Sequence, residues 1–251
     1  MMPALMFRRE FLAVAAAAAL MSQAAMAQSA MAQAARPKPK IGFIGAGKIG
    51  GQLAQFWARA GYPVMVSARD LGAMKELAAK IGSGAQAGTP AEAAAFGDVV
   101  VVSVPYGALP QVGRDYAQQL KGKVVLDTCN PNVRRDGDMT KDALEKGTGV
   151  VDPTYLPGTR LVRAFNTVGA GALAPNAGRQ GELIGIPLAS DDREALIIAA
   201  QMVRDAGFEP VIVGGLSTAK SFDTGTAVYG KALPASEVRA ALNVKPAPAD
   251  Q

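Results

Sequence analysis

A short apolar run followed at once by glycines, "IGFIGAGKIGG" at residues 41–51, constrains this chain more than any other stretch. Two phosphate-binding loops fit its spacing. Gly42, Gly47 and Lys48 match a P-loop, whereas Gly45, Gly47 and Gly50 match a dinucleotide fingerprint, G-x-G-x-x-G. A P-loop needs Ser or Thr after its lysine, because that hydroxyl ligates magnesium. Here the residue is Ile49, and the P-loop reading fails. The second reading has its context. "KIGFI" (40–44) predicts a strand, and Ile49, Leu53, Phe56, Trp57 and Ala60 share one face of a helix predicted over 47–60. Gly45 then permits the tight turn, Gly47 lets backbone approach a pyrophosphate, and Gly50 allows helix and strand to pack closely. The helix N-terminus faces the anion.

The next strand, "YPVMVSARD" (62–70), ends about twenty residues beyond the glycines, where an acid would bind a ribose 2′-hydroxyl. The end reads Ser67-Ala68-Arg69 instead, and a hydroxyl with a guanidinium suits a 2′-phosphate. NADP(H) is therefore the favoured cofactor. Asp70 is the counter-argument, an acid that would suit NAD, but it is read first as the cap of the helix "LGAMKELAAK". Alternate strand residues face opposite ways, so Ser67 reaches the phosphate only if the strand ends at it.

Strand and helix signals go on alternating. Strands are expected at 98–105, 124–131, 160–168, 181–189 and 209–215, and helices at 90–97, 108–120, 138–147, 191–206 and 235–242. The pattern predicts an α/β fold with a doubly wound, mostly parallel Rossmann-type sheet and a small C-terminal extension. Ligands of such sheets bind beyond the carboxyl ends of the strands. That singles out Ser103-Val104-Pro105-Tyr106, Cys129-Asn130-Pro131 and Phe165-Asn166-Thr167. Cys129 reads as a buried small side chain, and Tyr106 as a wall of the cleft. Asn166 serves either a nicotinamide amide or a loop, and Lys48 either touches phosphate or faces solvent.

What the chain lacks narrows the chemistry. It has no histidine and one cysteine, Cys129, which removes triad hydrolysis, imidazole proton shuttles, intrachain disulfides and Cys-rich metal sites. Reactivity must then come from a cofactor. Net charge is +5, and its one dense run, "RPKPK" (36–40), reads as a solvated linker rather than a nucleic-acid or membrane patch. The expected partner is a small-molecule acceptor, with a homodimer left open.

The first residues read as an export signal. Arg8-Arg9 precede an apolar run from Phe11 to Met21, too short to span a bilayer, and Ala25-Met26-Ala27 and Ala30-Met31-Ala32 offer cleavage sites. "RREFL" matches a twin-arginine signal except at Phe7 and Ala13. Such systems carry folded proteins, so the protein can load its nucleotide before reaching the periplasm or exterior. The expected divisions are signal 1–27, linker 28–39, NADP-binding domain 40–168, C-terminal extension 169–242 and disordered tail 243–251.

"IGFIGAGKIGG", "VMVSARD", "DVVVVSVPYGAL", "VVLDTCNP", "RLVRAFNTV" and "SFDTGTAVYG" together resemble the NADPH-dependent deazaflavin (coenzyme F420) reductase family. The same module resembles the NADPH domain of the six-transmembrane metalloreductases. The resemblance implies a Rossmann domain with a small C-terminal extension that transfers hydride between NADP(H) and a flavin or deazaflavin ring. It also implies that Gly45, Gly47, Lys48, Ile49 and Gly50 hold pyrophosphate and that Ser67 and Arg69 take the 2′-phosphate. Ser103, Val104, Pro105, Asn130 and Asn166 would then lie by the ribose and nicotinamide. Two other readings stand beside it: an imine reductase resembling pyrroline-5-carboxylate reductases, and a non-catalytic nucleotide-binding accessory protein.

Overall fold

Valine-rich runs form the middle of an eight-stranded sheet in a computed structural model, which describes residues 37–245. The compact unit begins at Pro39. The expected signal, most of the linker and the tail from 246 lie outside the described residues. The strands are β1 (Ile41–Ile44), β2 (Val64–Ser67), β3 (Gln86–Gly88), β4 (Val99–Val102), β5 (Val124–Asp127), β6 (Arg160–Arg163), β7 (Gly185–Ala189) and β8 (Glu209–Gly214). Their order is β3-β2-β1-β4-β5-β6-β7-β8.

Strands β1 to β6 are parallel, with the doubly wound order of a Rossmann fold. Every residue of β1, β4 and β5 is buried, because helices cover both faces of a parallel sheet. Strand β7 meets β6 antiparallel at one pair, Arg163 with Ala189, and β8 runs parallel to β7. The C-terminal part thus continues the same sheet.

The helices are α1 (Gly50–Arg59), α2 (Leu71–Ile81), α3 (Pro90–Phe96), α4 (Leu109–Asp115), α5 (Ala117–Leu120), α6 (Val133–Asp136), α7 (Thr140–Lys146), α8 (Thr148–Tyr155), α9 (Ala170–Asn176), α10 (Arg193–Asp205) and α11 (Ala235–Ala241). Helix α1 buries Leu53, Phe56 and Trp57 in the core that also takes Ala199, Met202 and Val203 of α10. Its Trp57 Nε1 donates to the Met202 carbonyl at 2.7 Å, so the buried indole is not left unpaired. Asp70 caps α2 by accepting from the Ala73 amide at 3.0 Å, and Thr89 with Glu92 forms a capping box on α3.

Several elements differ from the sequence expectation. The strands expected at 62–70, 98–105, 124–131 and 160–168 all stop three or more residues early, because the chain leaves the sheet there to build the cleft rim. The helix expected over 108–120 breaks at Tyr116. Helices α8 and α9 were not expected, since Pro153 and Pro175 lie inside them. Strand β3 has three residues and no apolar run to announce it. No helix among the described residues is long and apolar enough to cross a membrane.

Candidate nucleotide-binding cleft

The glycine turn between β1 and α1 meets each steric requirement of a dinucleotide loop. Gly45 has φ +91°, and a Cβ there would lie 2.4 Å from the Ser103 carbonyl oxygen. A Cβ at Gly50 would lie 2.3 Å from the Gly45 oxygen, so helix and turn touch through backbone alone. At Gly47 a Cβ would meet nothing within 4 Å, which leaves its face open to a ligand. Gly42 serves the packing instead, since its missing side chain makes room for the Ala93 carbonyl of α3.

The amides of this turn divide into two groups. Those of Gly45 and Ala46 both donate to the Ser67 carbonyl at 3.0 Å. Those of Gly47, Lys48, Ile49 and Gly50 donate to no acceptor among the described residues. Four orphan donors at the start of a helix, on an open face, are what an anionic pyrophosphate requires. Ile49 is half-buried, packing on the core while it also lines the cleft with Lys48.

The end of β2 corrects one expectation. Ser67 is fully buried, and its hydroxyl donates to the Phe43 carbonyl at 2.5 Å. It belongs to the sheet and does not face a 2′-phosphate. Arg69, two residues on, is exposed and stands beyond the strand end.

Across the switch point the loops after β4 and β5 and the C-terminal segment enclose a cleft of about 1040 Å³. Its lining includes Gly47, Lys48 and Ile49 of the glycine turn, Ser103, Val104 and Pro105 after β4, and Thr128, Cys129, Asn130 and Pro131 after β5. Val133, Arg134, Leu144, Thr224 and Tyr229 also line it. Val133 and Leu144 are large apolar side chains left exposed. Among the described residues, no carboxylate or imidazole lines the cleft.

Tyr106 corrects a second expectation. It is fully buried beneath the rim, with its hydroxyl donating to Asp152 Oδ1 at 2.6 Å, and forms no wall. Burial first, and the Asp152 charge second, hold its phenol above the ordinary range. Cys129 behaves as a buried small side chain, its thiol directed at the Val102 carbonyl at 3.6 Å and pushed up by burial and then by Asp127. Asn166 is also buried: its Nδ2 donates to the Phe222 carbonyl at 3.2 Å, and its Oδ1 has no partner among the described residues. An unpaired acceptor beside the cleft floor suits the amide of a nicotinamide, although Asn166 does not itself line the cleft. Before it, Phe165 takes φ +56°, which turns the chain sharply out of β6.

Under the rim lies a charged cluster that the sequence did not announce. Arg163 at the end of β6 is fully buried, with Nη1 2.8 Å from Asp127 and 3.3 Å from Asp152, and Nη2 3.6 Å from Asp223. Burial would lower the guanidinium, but the three carboxylates hold it above its ordinary value. Asp152 is pushed well up, by burial first and by Asp127 second, against the pull of Arg163.

Comparison with known proteins places this site. A family described as NADP oxidoreductase, coenzyme F420-dependent, matches residues 40–131. An F420-dependent NADP reductase of Methanothermobacter thermautotrophicus is 30% identical over 197 residues, 72% of this chain and 83% of that protein. The chain belongs to the coenzyme F420-dependent NADP oxidoreductase family. It is thereby an NADP-dependent oxidoreductase with a Rossmann-type fold. Metalloreductase STEAP3 of Rattus norvegicus is 29% identical over 192 residues, 74% of this chain, and the chain spans 36% of that relative's length. Among solved structures, a hypothetical protein from Sinorhizobium meliloti shares the fold at TM-score 0.66 and 24% identity, covering 78% of this chain and 95% of its own.

Proposed function

We propose that this family member is an exported reductase that passes hydride from NADPH to a flavin, a deazaflavin or another planar acceptor. The observation that carries the reading is the make-up of the cleft: unpaired backbone donors of the glycine turn, apolar side chains and Tyr229 in one lining, and no carboxylate or imidazole there among the described residues. When bound, the nicotinamide supplies the hydride. The chain's own residues bind and orient. The amides of Gly47 to Gly50 receive pyrophosphate, Arg69 pairs with the 2′-phosphate, and Val104 and Pro105 exclude water beside the ring. Asn130 and Asn166 fix the floor, while Val133, Leu144 and Tyr229 offer a surface for a planar acceptor, and Arg134 suits an anionic substituent on it.

Such a transfer depends on alignment rather than on general acid–base catalysis. Reduction of an imine needs a proton donor, for which this cleft offers Lys48 and Tyr229; the family match supports the flavin-type acceptor over that reading. The reading of export as a folded protein, with NADP(H) already held, is supported by Arg8-Arg9 and the apolar run after them. The deciding experiment offers FMN, FAD, a deazaflavin and a ferric chelate in turn to the mature protein and follows NADPH absorbance. Oxidation with one of them names the acceptor class. Tight NADPH binding without oxidation by any of the four sinks the reductase reading and favours a binding role.

A further inference from the structure

The cluster around Arg163 connects parts of the chain that the cleft needs held together. Asp127 ends β5, accepts from the Cys129 amide at 2.8 Å, and so roots the loop carrying Asn130. Asp152 on α8 accepts from Tyr106, the residue after Pro105, and so roots the loop carrying Ser103 to Pro105. Asp223 accepts from the amide and hydroxyl of Thr148 at 2.8 and 2.6 Å and precedes Thr224, which lines the cleft. Arg163 itself lies three residues before Asn166, at the end of β6.

Helix α8, which bears Asp152 and Thr148, is fixed on two sides. A Cβ at Gly113 would fall 1.7 Å from the Tyr155 carbonyl oxygen, and one at Gly149 would fall 1.7 Å from that of Leu216. It cannot slide without breaking backbone contact. The segment from Phe222 to Gly230 is tied at both ends to the loop after β6, through Phe222 to Asn166 at 3.2 Å and through Gly230 to Thr167 at 2.8 Å. The glycine turn and β2 hold each other through Ser67, and the turn meets the loop after β4 at Ser103, whose amide donates to the Ile44 carbonyl at 2.9 Å.

We propose that Arg163 is the positioning residue of the cleft: one guanidinium sets the spacing of the loops after β4, β5 and β6 and of the Thr224–Tyr229 wall, and thereby aligns acceptor with nicotinamide. Arg163 does not itself line the cleft. A planar, forked cation can meet three carboxylates from different directions, which an ammonium cannot. Isolated carboxylates could not be buried here without it, so the charge is also what permits three acids under the rim. The inference rests on the hydride-transfer reading above.

The test compares wild type with Arg163→Lys and Asp223→Asn in three measurements. These are NADPH affinity by fluorescence titration, NADPH oxidation with FMN as probe acceptor, and amide hydrogen exchange. For Arg163→Lys the expected result is near-wild-type NADPH affinity with kcat lower by about tenfold to a hundredfold. Exchange should rise together at 104–108, 128–132 and 223–230 and stay unchanged in α1 and β2, at 51–67. Retained kcat, or exchange rising uniformly along the chain, overturns the proposal. If Arg163→Lys does not fold, Asp223→Asn must lower kcat and raise exchange at 223–230 without weakening NADPH binding. Unchanged kcat and exchange in that variant overturn it equally. Should wild type not oxidise NADPH with FMN, the hydride reading suffers, and the coordinated exchange response still decides the role of Arg163.

Discussion

Asn130 Nδ2 donates to the main-chain carbonyl of Asn166 at 2.8 Å, a bond that ties the loop after β5 to the loop after β6. The two residues are 36 apart in sequence, and Asn130 lines the cleft. Asn130→Ala leaves that carbonyl without its donor in a buried setting. The expected loss is about 1–3 kcal/mol of stability, read from urea unfolding. An unchanged midpoint would show that water replaces the amide.

Arg69→Ala should weaken NADPH binding by about ten- to a hundredfold, the value of one charge-assisted contact, and leave NADH binding nearly unchanged. Asp70→Ala, next to it, should cost about 1 kcal/mol of stability through the lost cap on α2. Equal losses for both nucleotides in the Arg69 variant would remove it from the 2′-phosphate site.

Gly47 and Gly50 should respond oppositely to alanine. Gly50→Ala places a methyl 2.3 Å from the Gly45 oxygen, and overpacking against backbone costs about 1–3 kcal/mol or more. Gly47→Ala meets no protein atom within 4 Å, so its melting temperature should match wild type while NADP(H) affinity falls. Undiminished affinity in a folded Gly47→Ala variant would mean that pyrophosphate does not cross there.

Asp152 gives stability a pH dependence of defined sign. Its carboxyl is held well above the ordinary range by burial and then by Asp127, so the native state keeps a proton that the unfolded chain releases. The folded state then binds more protons, and stability falls as pH rises above the ordinary carboxylate range toward the raised value. One such proton contributes a slope of about 1.4 kcal/mol per pH unit. Asp152→Asn mimics the protonated group and should flatten that slope in urea titrations run from acid to neutral pH. Identical slopes in both proteins would place the extra proton elsewhere.

How far the sequence could be read depended on the range over which each residue acts. Gly45, Gly47 and Gly50 were legible because their constraints are local: a positive φ, an open face and a helix contact within five residues. Asp70 was legible for the same reason, its acceptor role lying three residues away. Ser67 was misassigned because a hydroxyl at a strand end suggests a ligand, while the strand's pleat turned it to Phe43. The Arg163 cluster joins residues 36 and 60 positions apart and could not be derived from spacing. A trace of it was present all the same. Asp127 and Arg163 interrupt runs of apolar residues in "VVLD" and "RLVR", and a charge inside a buried strand needs a partner.

The two hydrogen bonds that end on the Ser67 carbonyl make the glycine turn and the exit of β2 a single unit. Whatever sits on the free amides of 47–50 is therefore at a set distance from whatever residues 68–70 present. Those three residues lie past the last strand pair, and Ala68 and Arg69 take no part in holding the turn. Cofactor choice is thus separable from cofactor attachment. Exchanging residues at this tip could change which ribose is accepted without moving the phosphate cradle, so preference for one nicotinamide nucleotide over another can drift while the rest of the protein stays as it is.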